Sequence, residues 1–479
     1  MTIINLRKSV SFSRTLGLSL AAVALAACSS DRLEITNPNT PTVVSASADP
    51  QALQLQATGL LRQLRNGRGA YIYDFGRFGR ELYIYTPQEG RNTSHYLTGI
   101  VGANKLDPSG FAVGEWGTPY GNLRDIFNLK NSVAASATLS AAQKSAATGF
   151  AKTLEGLELL AVAASRDTLG GVTEIKQNAS DIAAFVSRDS LYKYILATLD
   201  EGNAALTAGG GAFPFTLHSG FAGLNTPSTF ARFNRAIAGK AAAYYATSGG
   251  GTAAWQRSLA ALSASFLNTA ATSRAELDVG AYHPYSGATG DSPNPFFSNS
   301  ADLFLHPSTA PDAPLKADGT LDNRYLAKVK TKTSRGPPAG VTGIASTLGY
   351  IPDANISGSI SIIRNEELLL LRAEGLLATA DKAGALAIIN QIRVNSGGLA
   401  PTTLTTASSD AAVLTELLLQ KRYSLLLEGS RWVDMRRYNL LNTLPLDAAN
   451  HFVARVMPIP QGECLVRVGK AAPLAGPGC

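Results

Sequence analysis

Two stretches of the sequence concentrate side chains suited to holding a ligand. Residues 71–96 and 282–297 interleave aromatic rings with arginine, asparagine and histidine. A sugar offers C–H faces that stack on rings and hydroxyl groups that hydrogen-bond to polar side chains. The same alternation also fits half-buried strands or core helices, so each ring has packing as its alternative role. The candidate ligand-binding residues are Tyr73, Arg77, Tyr83, Tyr85, Asn92, Tyr282, Tyr285 and Phe296.

One cysteine lies where a lipid is expected to be attached. A basic start precedes an apolar run over 15–27, which ends in Leu25-Ala26-Ala27-Cys28. The run is shorter than the ~20 residues that span a bilayer, and the whole pattern is typical of a secretory signal peptide. The small residues before Cys28 match the bacterial lipobox, so we predict a lipoprotein signal peptide over 1–27, a diacylglycerol on the Cys28 thiol, and a lipid-anchored tether over 28–50. The alternative is an ordinary signal peptide with a chance cysteine.

The residue combinations of common catalytic and metal sites do not occur in the sequence. The five histidines are far apart, at 95, 218, 283, 306 and 451, and none belongs to a His-Glu-x-x-His motif. No Gly-x-Ser-x-Gly or Cys-x-x-Cys motif is present. The net charge of +7 comes without a dense Lys/Arg block, so nucleic-acid binding is not indicated. We predict a binding protein that is not an enzyme and uses neither cofactor nor metal.

Helical periodicity dominates most of the chain. Apolar residues recur every three or four positions, and glycines close the helices, which is typical of an array of helical hairpins. Residues 363–398 form a helix–turn–helix of the ~34 residues of a tetratricopeptide unit. The predicted fold class is all-α, a tetratricopeptide-like α/α repeat with long irregular insertions. The other predicted helical ranges are 50–64, 120–136, 140–172, 187–211, 229–251, 254–268 and 410–441.

Two segments lack this periodicity. We predict loops, short turns and one helix over 66–120. The loop-rich insertion over 277–358 is long for a loop in a compact domain, so it is either functional or contains strands of its own. Because these segments hold the aromatic candidates, we predict that together they form the ligand site on one side of the helical scaffold.

The C-terminal motifs resemble those of the SusD/RagB family in order and spacing. Two departures stand out: Gln420-Lys421 replaces the family's glutamate before an arginine, and the chain lacks the family's Asn-Pro-Gly-Tyr ending. The matching residues are Ala373-Glu374, Ile389-Asn390, Arg393, Arg422, Glu428-Gly429, Arg431-Trp432, Asp434, Arg437 and Pro458-Ile459-Pro460.

The resemblance implies a SusD-like domain over 51–479, with helical pairs over 51–270 and a signature region over 360–465. It implies four tetratricopeptide-like helix pairs and a ligand site in long loops. It further implies an outer-membrane lipoprotein that faces the cell exterior, captures oligosaccharide or another nutrient, and passes it to a SusC-like TonB-dependent barrel. The alternative is a lipid-anchored helical-repeat adaptor that binds a protein partner in the cell envelope.

The signature residues themselves are predicted to be structural. Glu374 and Arg393 lie on the two arms of one predicted hairpin, where a carboxylate and a guanidinium can form a bidentate ion pair. Glu428, Arg431 and Asp434 are spaced by three, together with Arg437. They line one helix face, or they turn a corner if Gly429 ends the helix.

Two further pairs of residues have alternatives of their own. Cys464 and Cys479 are the cysteines that remain after Cys28, and export to an oxidising compartment allows a disulfide between them. The alternative is two free thiols. Trp116 and Trp432 are expected to be core residues, with ligand contact as the alternative.

Overall fold

The computed structural model describes residues 49–99, 105–178 and 180–479. The predicted signal peptide, Cys28 and most of the predicted tether lie outside these residues. The described helices are α1 (Pro50–Phe78), α2 (Arg91–Leu97), α3 (Gly117–Ala135), α4 (Ala141–Arg166), α5 (Arg188–Thr207), α6 (Pro227–Tyr245), α7 (Gly251–Ser263), α8 (Arg274–Leu277), α9 (Pro295–Ser298), α10 (Asn323–Lys328), α11 (Asn365–Ala378), α12 (Lys382–Asn395), α13 (Asp410–Ser424), α14 (Arg431–Arg437) and α15 (Gln461–Leu465). The described strands are β1 (Leu82–Ile84), β2 (Gly171–Val172), β3 (Phe185–Val186), β4 (Gly280–His283), β5 (Leu303–Leu305), β6 (Val329–Arg335), β7 (Ser346–Tyr350) and β8 (Ile360–Arg364).

The long helices pack side by side in chain order. Helix α1 contacts α3, and α3, α4, α5 and α6 each contact the next helix. Helix α11 then packs against α7, and α12 and α13 pack against α11. The pairs α1/α3, α4/α5, α6/α7 and α11/α12 make a helical-repeat array within the described residues. The predicted all-α repeat fold is confirmed.

Polar residues at the predicted helix starts fix where the helices begin. The Ser140 hydroxyl accepts a hydrogen bond from the backbone N–H of Gln143, and the Gln143 side-chain oxygen accepts one from the backbone N–H of Ser140. Ser187 caps α5 by accepting from the N–H of Ser190. These bonds satisfy N–H groups that have no partner within the helix, so the helix starts follow directly from local sequence.

Helix α1 extends into the segment predicted to be irregular. It continues to Phe78, whereas the periodicity predicted an end at Leu64. Glycines interrupt the apolar periodicity of the second half of α1, because they lie where neighbouring segments approach the helix closely. A Cβ added at Gly69 would lie 2.7 Å from the Cβ of Pro295, and one at Gly76 would lie 2.9 Å from the Cγ of Leu82. These glycines therefore serve packing and do not break the helix.

The strands form four antiparallel two-stranded ribbons: β1–β5, β2–β3, β4–β8 and β6–β7. Strands β4, β5, β6 and β7 all lie in 277–358, so the alternative that this insertion contains its own strands is correct. In the β1–β5 ribbon Leu82 pairs with Leu305. The two segments predicted to be irregular are therefore neighbours in the fold.

A continuous apolar core joins the helices to these ribbons. It includes Phe75 and Phe78 of α1, Phe150 of α4 and Phe230 of α6, all with no exposed surface. Trp432 is also fully buried and donates its Nε1–H to the Ala454 carbonyl at 2.7 Å. Trp116 is buried as well, so both tryptophans pack in the interior, as expected.

Candidate ligand-binding cleft

A surface cleft of about 500 Å³ lies where the loop-rich insertion meets the signature region. Strands β4 and β8, helix α9 and the turns around them form its walls. Its size is within the range of small-ligand sites. The lining residues are Asp278, Tyr282, Asn294, Phe296, Tyr350, Pro352, Asn355, Gly358, Ser359, Ile360, Ser361, Arg364, Leu427 and Glu428.

Aromatic rings make one side of the cleft. Phe296 and Tyr350 are buried and meet edge to face, with ring centroids 5.0 Å apart. Tyr73 of α1 supports Phe296 from behind at 5.9 Å and donates its hydroxyl to the Pro295 carbonyl at 2.6 Å. Tyr282 is only half-buried, and its hydroxyl donates to the Asp278 carbonyl. Tyr282 is therefore the lining ring with most surface for a ligand, held in place by its own hydrogen bond.

Asparagine and serine side chains provide polar groups around the rings. Asn294 caps α9: its Oδ1 accepts from the Phe296 N–H at 2.8 Å, and its Nδ2 donates to the Gly358 carbonyl at 2.5 Å. Asn355 and Ser359 are exposed. Asn294 thus shapes the cleft, whereas Asn355 and Ser359 are available to hydroxyl groups of a ligand.

The charged residues of the cleft form a paired network. Arg364 donates to both Glu428 oxygens, at 2.8 and 3.3 Å, and to the Ser424 carbonyl at 2.6 Å. It also bonds to Glu366. Burial raises the pKa of Glu428, but the charges of Arg364 and Lys328, together with the hydrogen bond from Arg364, outweigh burial, and the net shift of that pKa is downward. Glu428 is therefore held as a carboxylate and does not serve as a proton donor near neutral pH.

The neighbouring acid, Asp278, is paired as well. Arg274 donates to its two carboxylate oxygens at 2.6 and 2.7 Å. Among the described residues, no group of three or more His, Cys, Asp or Glu side chains is placed to hold a metal ion. The cleft thus presents a ring, amides, hydroxyls and compensated charges, which suits reversible binding of a polar ligand.

Two of the eight candidate residues line the cleft, and a third supports it. Tyr282 and Phe296 are lining residues, and Tyr73 lies behind them. Tyr83 and Tyr85 have instead 1% of their surface exposed. The Tyr83 hydroxyl bonds to Asp447, and the Tyr85 hydroxyl donates to the Ile344 carbonyl at 2.5 Å. Both rings belong to the core, because the β1–β5 ribbon turns them inward.

The other three candidates also lie away from the cleft. Arg77 is buried, forms a salt bridge to Asp74 at 3.0 Å and lies over the Tyr96 ring at 4.3 Å. Asn92 donates to the Thr86 hydroxyl at 3.1 Å and is partly exposed.

Tyr285 is buried, and its hydroxyl donates to the Arg65 carbonyl at 3.1 Å. Its burial, like that of Arg77, makes it a packing residue. Of the two segments predicted to form the site together, 277–358 contributes lining residues to this cleft, and 66–120 supports its wall through Tyr73.

Several lining residues were missed by sequence reasoning. Tyr350 belonged to a segment already singled out for its aromatics, so composition could have identified it. Arg364 and Asp278 had no such signal, since Arg364 pairs with a residue 64 positions away. Glu428 was expected to be structural, and the structure adds that it faces the cleft.

Both the sequence and the fold of this chain are similar to known proteins. The model of the SusD family matches residues 349–463. A SusD superfamily protein from Bacteroides vulgatus superposes with a TM-score of 0.63 at 15% identity, covering 87% of this chain and 97% of that one. The chain has the SusD fold. No curated protein sequence matches it.

Two more solved structures with the SusD fold are similar to this chain. A SusD-like carbohydrate binding protein from Bacteroides fragilis gives a TM-score of 0.64 at 13% identity, covering 88% of this chain and 99% of that one. Surface glycan-binding protein A from Bacteroides thetaiotaomicron, solved in complex with laminarihexaose, gives a TM-score of 0.64 at 12% identity. The match covers 90% of this chain and 100% of that one. These likenesses establish the fold.

The predicted ion pair between Glu374 and Arg393 is wrong. Glu374 bonds instead to Lys421, to Arg437 at 2.7 Å and to the Tyr438 hydroxyl at 2.7 Å. Arg393 pairs with Glu416 of α13 at 2.5 Å. Helix α13 packs against both arms of the hairpin and separates the two side chains into different pairs.

The departure at Lys421 from the SusD signature has a structural role. Lys421 also lies 2.8 Å from Asp434, which pairs with Arg437 at 2.8 Å. Two carboxylates and two cations thus form a closed, fully buried network. The lysine supplies one of the two positive charges that this network needs.

The second half of the signature turns a corner. Helix α13 ends at Ser424 and α14 begins at Arg431, so the signature residues turn a corner, as the second alternative predicted, with Gly429 in the turn after the helix end. Gly429 has φ +80°, and a Cβ there would lie 2.4 Å from the Cε1 of Tyr71. On either side of the corner, Glu428 bonds to Arg364 and Arg431 donates to the Gly79 carbonyl at 3.0 Å.

The C-terminal cysteines are bridged. Cys464 and Cys479 form a disulfide with Cα atoms 5.1 Å apart. The enclosed segment packs against β3, since the Phe185 N–H donates to the Pro473 carbonyl at 2.9 Å. Of the two alternatives left open by the sequence, the structure has the disulfide.

Proposed function

We propose that this protein captures oligosaccharide in the cleft at the outer-membrane surface and passes it to a SusC-like TonB-dependent barrel. The observation that carries the proposal is the half-buried Tyr282 ring beside exposed Asn355 and Ser359, on a SusD fold. Two proteins of that fold are described as carbohydrate binding or were solved with a glucan hexasaccharide.

Proteins hold sugars by stacking rings on their C–H faces and by hydrogen bonds to their hydroxyl groups. One stacked ring contributes about 1 to 2 kcal/mol, by analogy with other ring contacts. Asn355 and Ser359 add hydrogen bonds, while the charges of Asp278 and Glu428 are already compensated by arginines. A neutral polyol therefore matches the cleft better than a charged ligand does.

The membrane part of the proposal comes from the sequence. Cys28 is proposed to carry the lipid that anchors the protein, which would place the cleft outside the cell beside its transporter. Within the described residues no helix has the length and apolar character to cross a membrane. Recovery of a TonB-dependent barrel with the affinity-purified protein from native membranes would support the partnership, and its repeated absence would argue against it.

The binding proposal is tested by calorimetry with laminarihexaose, followed by a panel of other neutral oligosaccharides. We expect Tyr282→Ala to weaken binding of the best ligand about tenfold, since ~1.4 kcal/mol is a factor of ten. Tyr282→Phe keeps the ring and should bind within threefold of the parent. Tyr194→Ala is the control, because Tyr194 is an exposed ring on α5.

Two results would count against this assignment. Equal binding by the folded Tyr282→Ala variant and the parent would place the sugar site elsewhere. Absence of binding to every oligosaccharide tested, with recovery of a protein partner from the envelope, would favour the adaptor alternative.

A further inference from the structure

A second cavity lies on the other side of the β4–β8 ribbon. Helices α1, α3, α4 and α6 surround it, and its volume is about 80 Å³. Successive residues of a strand point to opposite faces: Tyr282 faces the cleft, and His283 lines this cavity. In β8, Ser361 likewise lines the cleft and Ile362 lines this cavity. The ribbon is thus a shared wall between two separate sites, and we call the second one the helical cavity.

Two carboxyl groups line the helical cavity without a cationic partner. Glu115 and Glu158 have 8% and 6% of their surface exposed. Neither forms a salt bridge within the described residues. The one hydrogen bond to Glu158 from a described side chain comes from the Asn122 Nδ2, at 3.1 Å. Buried carboxyl groups are normally paired, so these two are placed for something the protein itself does not supply.

The cations near these carboxyl groups, of which Arg68 and Lys240 line the cavity, make their hydrogen bonds to other groups, and the Nε atoms of Arg68 and Arg166 have no partner among the described residues. Arg68 donates to the Glu428 carbonyl at 3.0 Å, and Lys240 pairs with Glu367 at 2.7 Å. Arg166 donates to the carbonyls of residues 113 and 114, at 2.5 and 2.8 Å. The Nδ1 of His283 also has no hydrogen-bond partner among the described residues.

The rest of the lining is apolar. Leu157, Leu160, Ile237 and Ile362 form the walls, and the half-buried Ala161 is among the lining residues. A pocket with apolar walls and few convergent polar groups is typical of a small-molecule site. The walls suit a short hydrocarbon body, and the two carboxyl groups suit a positively charged head.

We propose that the helical cavity binds a small amphipathic molecule that carries a primary ammonium group. The ammonium would lie between Glu115 and Glu158, with the hydrocarbon part against Leu157 and Ile237. This ligand differs in chemistry from a neutral sugar, so the helical cavity is a site distinct from the cleft.

The proposal has a pH signature. Burial raises the pKa of Glu158 to about 8, and it raises that of Glu115 well above its usual value. The groups that act on Glu115 are Asp74 and Glu158, which raise its pKa further, and Arg166 and Arg68, which lower it.

An alkylammonium keeps its charge up to a pH of ~10. Its binding therefore releases protons from the carboxyl groups and strengthens as pH rises from 6 to 8.

The experiment is calorimetry of the purified protein with hexylammonium chloride at pH 6, 7 and 8. Hexanol is the neutral probe of the same size. We expect hexylammonium to bind at least tenfold more tightly than hexanol at pH 8 and to release protons, measured by repeating the titration in buffers of different ionisation enthalpy. Glu158→Gln should weaken hexylammonium at least tenfold and leave hexanol unchanged.

Controls separate loss of the site from loss of the fold. Glu201→Gln removes an exposed carboxylate of α5 that pairs with Lys152, and it should bind both probes like the parent. Ala161→Met fills the cavity and should weaken both probes, which reports on the location without touching the carboxyl groups. Each variant is checked for a cooperative thermal transition.

Three results would overturn the proposal. The first is equal affinity for hexylammonium and hexanol, and the second is no binding of hexylammonium at its highest soluble concentration. The third is unchanged hexylammonium binding in both Glu158→Gln and Ala161→Met.

Discussion

At the scale of single residues, the buried network around Glu374 is the main charged feature of the signature region. Truncating one member of a buried ion pair leaves an uncompensated charge and costs about 3 to 5 kcal/mol. We expect Glu374→Ala to lower the free energy of unfolding by that amount in urea titrations. Binding of oligosaccharide by the folded variant should be unchanged, because the network does not line the cleft.

The same network predicts an acid-side loss of stability. Burial alone would raise the pKa of Glu374, but Arg437 and Lys421 outweigh it and hold that pKa at about 2. A lowered pKa contributes stability above the unfolded value of ~4.5, and this stability is lost as pH falls from there toward 2. Asp434 shifts the other way, because burial and the Glu374 charge raise its pKa.

Two comparisons test the role of Glu374. Glu201→Ala, at an exposed pair, should change the free energy of unfolding by less than ~1 kcal/mol. A fully stable Glu374→Ala variant that no longer binds oligosaccharide would instead assign Glu374 to the ligand site.

Glu158 is expected to have the opposite effect on stability. Its pKa of about 8 lies above the unfolded value of ~4.5, so its favourable contribution is complete below pH 4.5 and is lost as pH rises toward 8. Glu158→Gln removes this loss of stability, because glutamine does not ionise. At ~1.4 kcal/mol per pKa unit, the variant should gain on the order of 3 to 5 kcal/mol relative to the parent between pH 4.5 and 8. Urea unfolding of the variant and the parent at several pH values measures this difference. If the free energies of unfolding of the two proteins change with pH in parallel, Glu158 titrates normally.

At the scale of elements, the corner between α13 and α14 depends on Gly429. An alanine there must adopt a positive φ, which costs about 1 to 2 kcal/mol, and its Cβ would lie 2.4 Å from the Tyr71 ring. We expect Gly429→Ala to lower the free energy of unfolding by at least ~2 kcal/mol.

Gly121→Ala is the matched substitution in α3. A Cβ at Gly121 meets nothing within 4 Å, so this variant should be more stable by ~0.5 to ~1 kcal/mol. Similar unfolding curves for the two variants would mean that the corner is not fixed by its glycine.

Elements with local signals could be predicted from the sequence, and elements fixed by distant contacts could not. The predicted starts of α4 and α5 at 140 and 187 are confirmed. Ser140 and Ser187 cap these helices through hydrogen bonds to residues only three positions away. The end of α1 was missed because its glycines make room for Pro295 and Leu82, which are distant in sequence, and do not mark a break in the helix.

The same limit applies to the candidate site. Aromatic composition identified Tyr282 and Phe296 but could not distinguish them from Tyr83 and Tyr85, since burial depends on which ribbon a strand joins. The predicted ion pair between Glu374 and Arg393 is wrong for a related reason. Lys421 reaches it from α13, 47 positions away, and no local spacing encodes that contact.

At the scale of the whole molecule, the helical array and the ribbons have different tasks. The array provides a buried core from α1 to α14. Strand β4 of the loop-rich insertion pairs with β8 of the signature region, and both proposed sites lie on this ribbon. Because the sites use opposite faces of one ribbon, each can be altered separately. Tyr282→Ala should leave hexylammonium binding unchanged, and Glu158→Gln should leave oligosaccharide binding unchanged.

The last prediction concerns how the molecule is held at the membrane. The apolar run that ends at Leu25-Ala26-Ala27-Cys28 is the basis for a lipid anchor, and a lipidated cysteine with two or more acyl chains anchors a protein stably. We expect Cys28→Ala to abolish labelling by a fatty-acid probe and to move the protein from the membrane fraction to the soluble one. Ser29→Ala keeps the thiol and should fractionate like the parent. The measurement is made in cells without the barrel partner, because binding to a barrel could hold the protein at the membrane independently of the lipid. Membrane retention of Cys28→Ala under that condition would show that another part of the chain makes the attachment.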